Sequence, residues 1–274
     1  MFKPITISEQ LLYATVRLVA SNESTGTGFF FNFKFKDNYI PVIITNKHVV
    51  NNKKNERVDI YLHLKDGKLL HDEKLNVLFK PNWYFHPDQD LCFYFANKLF
   101  EEVKQKEQKE VFYIPLSEKI ICDRSELLEL TAIEDVVMLG YPNGLWDQKN
   151  NLPLFRKGIT ATHPAIDFNE KNIGAVDIAC FPGSSGSPIF ILNEGSYCNK
   201  RGTHLGSGRL IFLGILFAGP TWNAEGELII VNIPTKDKIV PVTPLMINLG
   251  YYIKATELLA FKPIIEKVIF QPTS

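Results

Sequence analysis

Short strand-like segments separated by turn residues are the feature that most constrains the fold of this chain. Residues 57–64 alternate strictly, with Val58, Ile60, Leu62 and Leu64 on one face, which is the period of a half-buried β-strand. Comparable runs recur in both halves of the chain and do not alternate with long helical segments. The pattern therefore predicts an all-β protein rather than a parallel sheet covered by helices.

The predicted strands fall into two runs, in residues 12–98 and 112–253. The charged segment between them predicts a helix or an exposed linker, and residues 227–233 are one of the strand candidates of the second run. Apolar residues at helical spacing in 254–270 predict a C-terminal helix, so residues 254–274 form a helix and tail. Two packed β-barrels in a single domain over residues 1–274 fit this order.

Composition excludes several classes of function. The chain has 274 residues, of which 45% are hydrophobic, so it is predicted to fold rather than remain disordered. Lys plus Arg and Asp plus Glu both number 30, which gives no general attraction to nucleic acid or to an anionic membrane. The N-terminus lacks the pattern of a signal peptide, and no apolar run has the length of a membrane span. We therefore expect a cytoplasmic protein with no nucleic-acid or membrane partner.

The cysteines show no spacing typical of a metal site. Neither a CxxC pair nor a Cys/His ligand pattern is present, so we predict no metal and no cofactor. In the expected compartment the thiols should be reduced. The four are Cys92, Cys122, Cys180 and Cys198.

The most specific local motif is the loop of residues 181–188, Phe-Pro-Gly-Ser-Ser-Gly-Ser-Pro. Gly183 and Gly186 permit a tight turn with unusual dihedrals around Ser185. Such a turn can expose the serine hydroxyl and aim the N–H groups of Gly183 and Ser185 at one point, as in an oxyanion hole. A Gly/Ser/Pro-rich loop taken alone is more often an ordinary turn.

A serine nucleophile needs a base and a group that orients the base. His48, in the segment Ile-Thr-Asn-Lys-His-Val-Val, follows an apolar strand and is the candidate base, since histidine titrates near neutral pH. Asp90 borders the apolar run of residues 91–96 and is the candidate orienting carboxylate. Asp88 is the alternative, although it is expected to be more solvated. The remaining histidines lack a comparable context and are interpreted as ordinary residues: His63, His71, His86, His163 and His204.

These three segments resemble the triad motifs of trypsin-like serine peptidases and occur in that family's order of His, Asp and Ser. The similarity is greatest to the HtrA/DegP-type branch. Residues 176–186 resemble its Thr-Asp-Ala-Ala-Ile-Asn-Pro-Gly-Asn-Ser-Gly run, and Gly-Thr-Gly-Phe at 26–29 resembles its Gly-Ser-Gly-Phe hairpin. Residues 139–144 and 248–251 resemble its Gly-Tyr-Pro and Asn-Ile-Gly-Phe segments. The resemblance covers about residues 12–255.

The resemblance implies the chymotrypsin fold, with two six-stranded antiparallel Greek-key β-barrels and a C-terminal α-helix. It implies a serine endopeptidase that cleaves protein or peptide substrates through an acyl-enzyme, without a cofactor. The implied triad is His48, Asp90 and Ser185, and the implied oxyanion hole is the backbone N–H groups of Gly183 and Ser185.

By family position, Ala179 would lie at the floor of the primary specificity pocket. The remaining pocket residues would form its walls, and they are Leu216, Phe217, Ala218, Leu249, Gly250 and Tyr251. None is acidic, so we expect a preference for a small or aliphatic side chain rather than Arg or Lys.

The chain also departs from the family. Only about 20 residues follow residue 253, so we expect no PDZ domain. Ser184 stands where trypsin-type zymogens carry an aspartate, so activation by a freed N-terminus is not expected. Two alternatives stay open. One is an enzyme that is latent until an activating partner or ligand acts, and the other is a catalytically inactive, peptidase-like peptide-binding module.

Overall fold

The computed structural model describes residues 3–66, 69–225, 242–246 and 248–270. Strands dominate it and helices are short. The strands, in chain order, are β1 Thr15–Ala20, β2 Thr25–Phe35, β3 Asn38–Thr45, β4 Val58–Asp66, β5 Leu69–Phe79, β6 Tyr84–Phe85, β7 Cys92–Phe95, β8 Glu110–Phe112, β9 Leu116–Ser117, β10 Asp135–Gly140, β11 Leu154–Thr160, β12 Ile173–Asp177, β13 Pro188–Asn193, β14 Ser196–Asn199, β15 Gly202–Leu205, β16 Arg209–Ala218, β17 Thr221–Glu225, β18 Val242–Met246 and β19 Leu249–Lys254.

The helices lie between strands and at the two ends of the described chain. The α-helices are α1 Ile7–Leu11, α2 Asn97–Glu107, α3 Arg124–Leu128 and α4 Phe261–Phe270. Short 3₁₀ helices span His48–Val50, Glu118–Ile120, Pro142–Gly144, Phe168–Glu170 and Ala255–Ala260.

The first half is a nine-stranded sheet whose main path runs β5-β4-β1-β2-β3-β7-β6. The short strands β8 and β9 join β4 and β2 beside this path, and β9 pairs in parallel with β2. The β2–β3 hairpin brings Phe29 opposite Ile44, and β3 in turn pairs Ile44 with Phe93 of β7. The last residue of β3, Thr45, therefore lies beside the first residue of β7, Cys92. The loop that follows β3 and the loop that precedes β7 are neighbours for the same reason.

The second half closes into a six-stranded antiparallel barrel in the order β10-β11-β12-β19-β16-β13. Its interior is filled by buried side chains such as Met138, Val176, Ile189 and Leu213. Two separate hairpins, β14–β15 and β17–β18, lie outside the ring. The β14–β15 hairpin makes up most of the segment between β13 and β16.

One apolar cluster joins the two halves and the C-terminal helix. Phe29, with its ring packed edge-on against Phe212 at a centroid distance of 5.5 Å, links β2 to β16. Phe261 of α4 packs edge-on against Phe93 at 4.9 Å. Because all of these side chains are buried, the interface between the halves is as dry as a domain core, and the loops at its rim are held in fixed relative positions.

The all-β class with a C-terminal helix is confirmed, and residues 99–111 are largely helical, because α2 buries Leu99 and Val103 one turn apart. The strict alternation in residues 57–64 is confirmed by β4, whose even-numbered side chains are buried. The first half differs in detail from a six-stranded barrel, because seven of its nine strands form an open path and β8 and β9 pair beside it. The strand candidate at 227–233 lies outside the described residues. Within the described part of the chain, no helix has the length and apolar character needed to cross a membrane.

Candidate active site

His48 and Asp90 are brought together at the rim between the halves. His48 opens the 3₁₀ turn that follows β3, and Asp90 lies in the loop that precedes β7. The His48 ring donates from Nδ1 to Asp90 Oδ2 at 2.5 Å, and the His48 backbone N–H donates to Asp90 Oδ1 at 3.2 Å. With its Nδ1 proton engaged by the carboxylate, the ring has Nε2 as the free basic nitrogen, which is the tautomer that a general base requires.

Buried side chains form hydrogen bonds to the backbone of the loop that contains Asp90. Asn46 is fully buried and its amide donates to the Asp90 carbonyl oxygen at 2.8 Å. His86 is also buried, and its Nδ1 accepts from the backbone N–H groups of Asp88 and Gln89 at 3.1 and 2.9 Å. Burial lowers the pKa of His86, because desolvation disfavours the imidazolium. A neutral His86 therefore fastens the loop that carries Asp90, whereas the Asp88 side chain is exposed.

His86 also faces the C-terminal segment. Its Nε2 lies 3.4 Å from Glu257 Oε2, and its ring packs edge-on against Phe261 at 5.4 Å. The carboxylate of Glu257 acts on the pKa of His86 in the opposite direction to burial, but burial is the larger effect. The loop that holds Asp90 is thus attached to the residues that lead into α4.

In the loop around Ser185, every backbone carbonyl from residue 181 to 185 is fixed by a hydrogen bond. Two of these hydrogen bonds come from within the loop, from Ser184 N–H to Phe181 O and from Ser187 N–H to Ser184 O, both at 3.0 Å. The other three come from outside it: Asn143 N–H donates to Pro182 O at 2.5 Å, Thr27 Oγ1 donates to Gly183 O at 3.1 Å, and Thr27 N–H donates to Ser185 O at 2.8 Å. Because C=O and N–H point in opposite directions in a trans peptide, these bonds also fix where the N–H groups point.

Two N–H groups of this loop are left over. Gly186 N–H donates to Leu216 O at 2.8 Å, and the N–H groups of Ser184 and Ser187 donate within the loop. Among residues 183–187, only the N–H groups of Gly183 and Ser185 have no acceptor within the described chain. The two free donors lie on either side of the bonded Ser184 N–H, and backbone donors beside a serine are the groups from which an oxyanion hole is built.

Glycine is required at two positions of this loop. Gly183 and Gly186 have φ values of +87° and +85°, which only glycine adopts without strain. A Cβ on Gly183 would lie 2.6 Å from the Tyr141 carbonyl oxygen, and a Cβ on Gly186 would overlap the Thr27 carbonyl oxygen. The loop therefore packs its own backbone against the backbone of both halves.

Two hydrogen bonds in series connect the backbone of Ser185 to the strand that leads to His48, by way of Thr27 and Thr45. Thr27 binds the Ser185 carbonyl, and the Thr27 carbonyl accepts from Thr45 Oγ1 at 2.7 Å. Thr45 ends β3, three residues before His48. The Ser185 side chain is half-buried, and no hydrogen bond joins its Oγ to His48 in the described chain.

Residues 26–197 match the family model described as "Trypsin-like peptidase domain". The chain belongs to the trypsin-like peptidase family. A search of curated proteins finds no match.

Several solved structures are similar to this peptidase. The Rv3671c protease in its inactive form shares 17% identity, with 90% of this chain and 86% of that chain covered and a TM-score of 0.41. Deg5 shares 14% identity over 79% of this chain and 88% of that chain, with a TM-score of 0.43. The inactivated protease paralogue S-I1 of the scabies mite shares 11% identity over 96% of this chain and 97% of that chain, with a TM-score of 0.42.

The residues expected to line the specificity pocket lie on paired strands of the peptidase barrel. In this pairing β16 meets β19, with Leu216 opposite Tyr252 and Ala218 opposite Tyr251. Leu216 is only 3% exposed, and its backbone is bonded to the serine loop, because its carbonyl accepts from Gly186 N–H at 2.8 Å and its N–H donates to Ser187 O at 2.9 Å. Gly250 lies against Cys180 and Leu216, because a Cβ there would be 2.5 Å from the Cys180 sulfur.

The other pocket candidates keep some exposure. Ala179, Phe217, Leu249 and Tyr251 are half-buried, and Ala218 is exposed. Tyr251 stacks on Phe168 with ring centroids 5.6 Å apart. These residues border one stretch of the barrel, close to where Gly186 binds Leu216.

Sequence reasoning missed the supporting residues of the site. Thr27 was noted only as part of a Gly-Thr-Gly-Phe motif, and His86 was interpreted as an ordinary histidine. The two glycines beside Thr27 are a signal of close packing, because a Cβ on Gly28 would lie 3.0 Å from the Leu18 side chain. No signal in the sequence marks His86, since Glu257 and Phe261, which it meets in the C-terminal segment, lie far from it in the chain.

Proposed function

We propose that this peptidase is a serine endopeptidase that cleaves protein or peptide substrates through an acyl-enzyme. Ser185 Oγ attacks the scissile carbonyl, and His48 Nε2 accepts its proton and then donates it to the leaving amine. Asp90 keeps the proton on Nδ1 and stabilises the imidazolium that forms. A cytoplasmic location and the absence of a cofactor are part of the same proposal.

One observation carries the proposal. Within residues 183–187 only the N–H groups of Gly183 and Ser185 lack an acceptor in the described chain, while the carbonyl groups around them are bonded. An ordinary turn satisfies its buried donors or exposes them to water at random. A loop that keeps two N–H donors free beside a serine, and fixes their direction by hydrogen bonds, is suited to stabilising a tetrahedral oxyanion. The donors are already oriented in the folded protein, so they need no reorganisation during the reaction.

The proposal is tested by covalent labelling. A fluorophosphonate probe should label the wild-type chain on Ser185 and should not label Ser185→Ala. Ser184→Ala is the matched control, because the neighbouring Ser184 hydroxyl is buried and has no hydrogen-bond partner in the described chain. Labelling that survives in Ser185→Ala, or is lost equally in Ser184→Ala, would contradict the assigned nucleophile.

Two further arms separate active, latent and inactive forms. The missing hydrogen bond between Ser185 Oγ and His48 favours a site that tightens when a substrate or an activating partner binds, since catalytic hydrogen bonds are often long in unliganded enzymes. Labelling in lysate but not with the isolated chain would support latency. Stable peptide binding with no labelling and no cleavage product under either condition would support the alternative of a peptide-binding module.

A further inference from the structure

The side chain of Thr27 is a hydrogen-bonding centre between the halves. It is fully buried in β2. Its hydroxyl donates to the Gly183 carbonyl at 3.1 Å, accepts from the Tyr141 N–H at 3.2 Å and accepts from Ser187 Oγ at 3.2 Å. A hydroxyl offers one proton and two lone pairs, so these three bonds use its whole capacity.

Thr27 restrains the two peptides that meet at the Gly183 Cα, and the first of them carries the Gly183 N–H. It binds the Gly183 carbonyl directly. Through Tyr141 it also fixes the turn that carries Asn143, whose N–H binds the carbonyl of Pro182. The peptides on both sides of the Gly183 Cα are therefore restrained from one side chain, and glycine has no Cβ that would otherwise limit their rotation.

We propose that Thr27 is a positioning residue that holds the oxyanion pocket in its reactive form. This inference rests on the proposed function of Ser185 and of the N–H groups of Gly183 and Ser185. The Thr27 hydroxyl acts through the loop and does not itself meet the substrate. Loss of the hydroxyl leaves the Gly183 carbonyl without its donor and the Tyr141 N–H without its acceptor, so the peptide after the Gly183 Cα keeps only the hydrogen bond from Ser184 N–H to Phe181 O.

No other group can replace the hydroxyl. The Thr27 side chain is 0% exposed, and the added methyl group of a valine occupies the volume of the hydroxyl, so no water can take its place. In Thr27→Val a methyl group would take the place of Oγ1, 3.1 Å from the Gly183 oxygen. That is closer than the roughly 3.3–3.6 Å of carbon–oxygen contacts, so the methyl group would push the carbonyl away. Thr27→Ser keeps the hydroxyl and its three partners.

Three variants test the inference. In Thr27→Val, kcat and the rate of fluorophosphonate labelling should fall by about 10–100-fold with little change in KM, somewhat less than the loss of a whole oxyanion donor. Thr27→Ser should restore both values to near wild type. Thr160→Val is the matched control, because Thr160 is an equally buried threonine in β11 whose hydroxyl donates to Ala132 O and accepts from the Glu134 N–H.

Thr160→Val should lower stability as Thr27→Val does but leave kcat unchanged. The inference is overturned if Thr27→Val labels at the wild-type rate, or if Thr27→Ser is as slow as Thr27→Val. If Thr27→Val does not fold, amide exchange of the wild type decides. Protection of the Tyr141 N–H as strong as that of the β10 amides supports the inference, and exchange at the rate of an exposed loop overturns it.

The same experiment separates the two proposals. A wild-type chain that no probe labels, alone or in lysate, removes the proposed function and this inference together. A wild-type chain that is labelled on Ser185, with Thr27→Val labelled equally fast, removes only the role of Thr27.

Discussion

Replacing Gly186 by alanine should destabilise the chain much more than the same replacement at Gly195. Both glycines have a positive φ, +85° and +101°, so both variants force alanine into a backbone region that costs it about 1–2 kcal/mol. The surroundings differ. A Cβ on Gly195 meets nothing within 4 Å, whereas a Cβ on Gly186 overlaps the Thr27 carbonyl oxygen and lies 2.7 Å from Thr45 Oγ1.

The larger loss of folding free energy expected for Gly186→Ala arises because the backbone of Thr27 and the loop must move apart. An added methyl group in a packed site costs about 1–3 kcal/mol. Relief of the overlap also separates Thr27 from the loop, where Thr27 N–H binds Ser185 O and Gly186 N–H binds Leu216 O, both at 2.8 Å. Each weakened bond adds about 1 kcal/mol. We therefore expect a loss of about 1–2 kcal/mol for Gly195→Ala and about 4–6 kcal/mol for Gly186→Ala.

Urea unfolding of the two variants and the wild type, followed by tryptophan fluorescence, measures this difference. In thermal unfolding, at about 2–4 °C per kcal/mol, Gly195→Ala should lower Tm by a few degrees and Gly186→Ala by ten degrees or more. Gly186→Ala should also abolish labelling of Ser185, whose carbonyl loses its donor. Equal losses of stability in the two variants, within about 1 kcal/mol, would refute the reasoning that close backbone approach makes Gly186 indispensable.

Three further outcomes are expected. Asp90→Asn should lower kcat on the order of 10³–10⁴-fold, because the amide can present the wrong group to Nδ1, while Asp88→Asn leaves kcat unchanged; equal effects would reverse the assignment of the carboxylate. Since burial lowers the pKa of His86, the unfolded chain binds a proton near pH 6.5 that the folded chain refuses, so stability is complete above that pH and falls as pH decreases below it. Urea unfolding at pH 7.5 and 5.5 should show this loss in the wild type and a smaller one in His86→Gln; identical pH dependence would exclude His86 as its source. The residues predicted to line the specificity pocket include no acidic side chain, so a peptide library should show small or aliphatic residues before the cleaved bond, a result that strong selection of Arg or Lys would contradict.

The elements that sequence predicts well are those whose pattern is local. The alternation at residues 57–64 corresponds to β4 because one face of that strand meets the core and the other meets solvent. The helix α2 follows from two apolar residues one turn apart among charged neighbours. The short strands β8 and β9, of three and two residues, have no such pattern. They exist because folding brings them beside β4 and β2, which no local rule reveals.

The residues of the candidate site also fall into those that a local motif reveals and those that only tertiary contacts define. His48, Asp90 and Ser185 could be picked out because each lies in a motif that resembles a family pattern. Thr27 could not, and neither could the contact of His86 with the C-terminal segment, because both depend on partners far away in the chain. Thr27 Oγ1 binds a carbonyl 156 residues further on, and His86 meets Glu257 of the C-terminal segment. Composition and spacing describe the reacting groups, whereas the groups that hold them are defined only by tertiary packing.

The apolar cluster shared by the two halves has a consequence for synthesis. The N-terminal half leaves the ribosome first, and its Phe29 and Phe33 lack their ring contacts with Phe212 and Phe261 until those residues have been made. Through that interval His48 and Asp90 already exist, but the loop with Ser185 has no completed wall to rest on. Under the proposed mechanism a nascent chain of this length is inactive, and its exposed phenylalanine side chains form an apolar surface that a chaperone would cover until the last strand has closed the barrel.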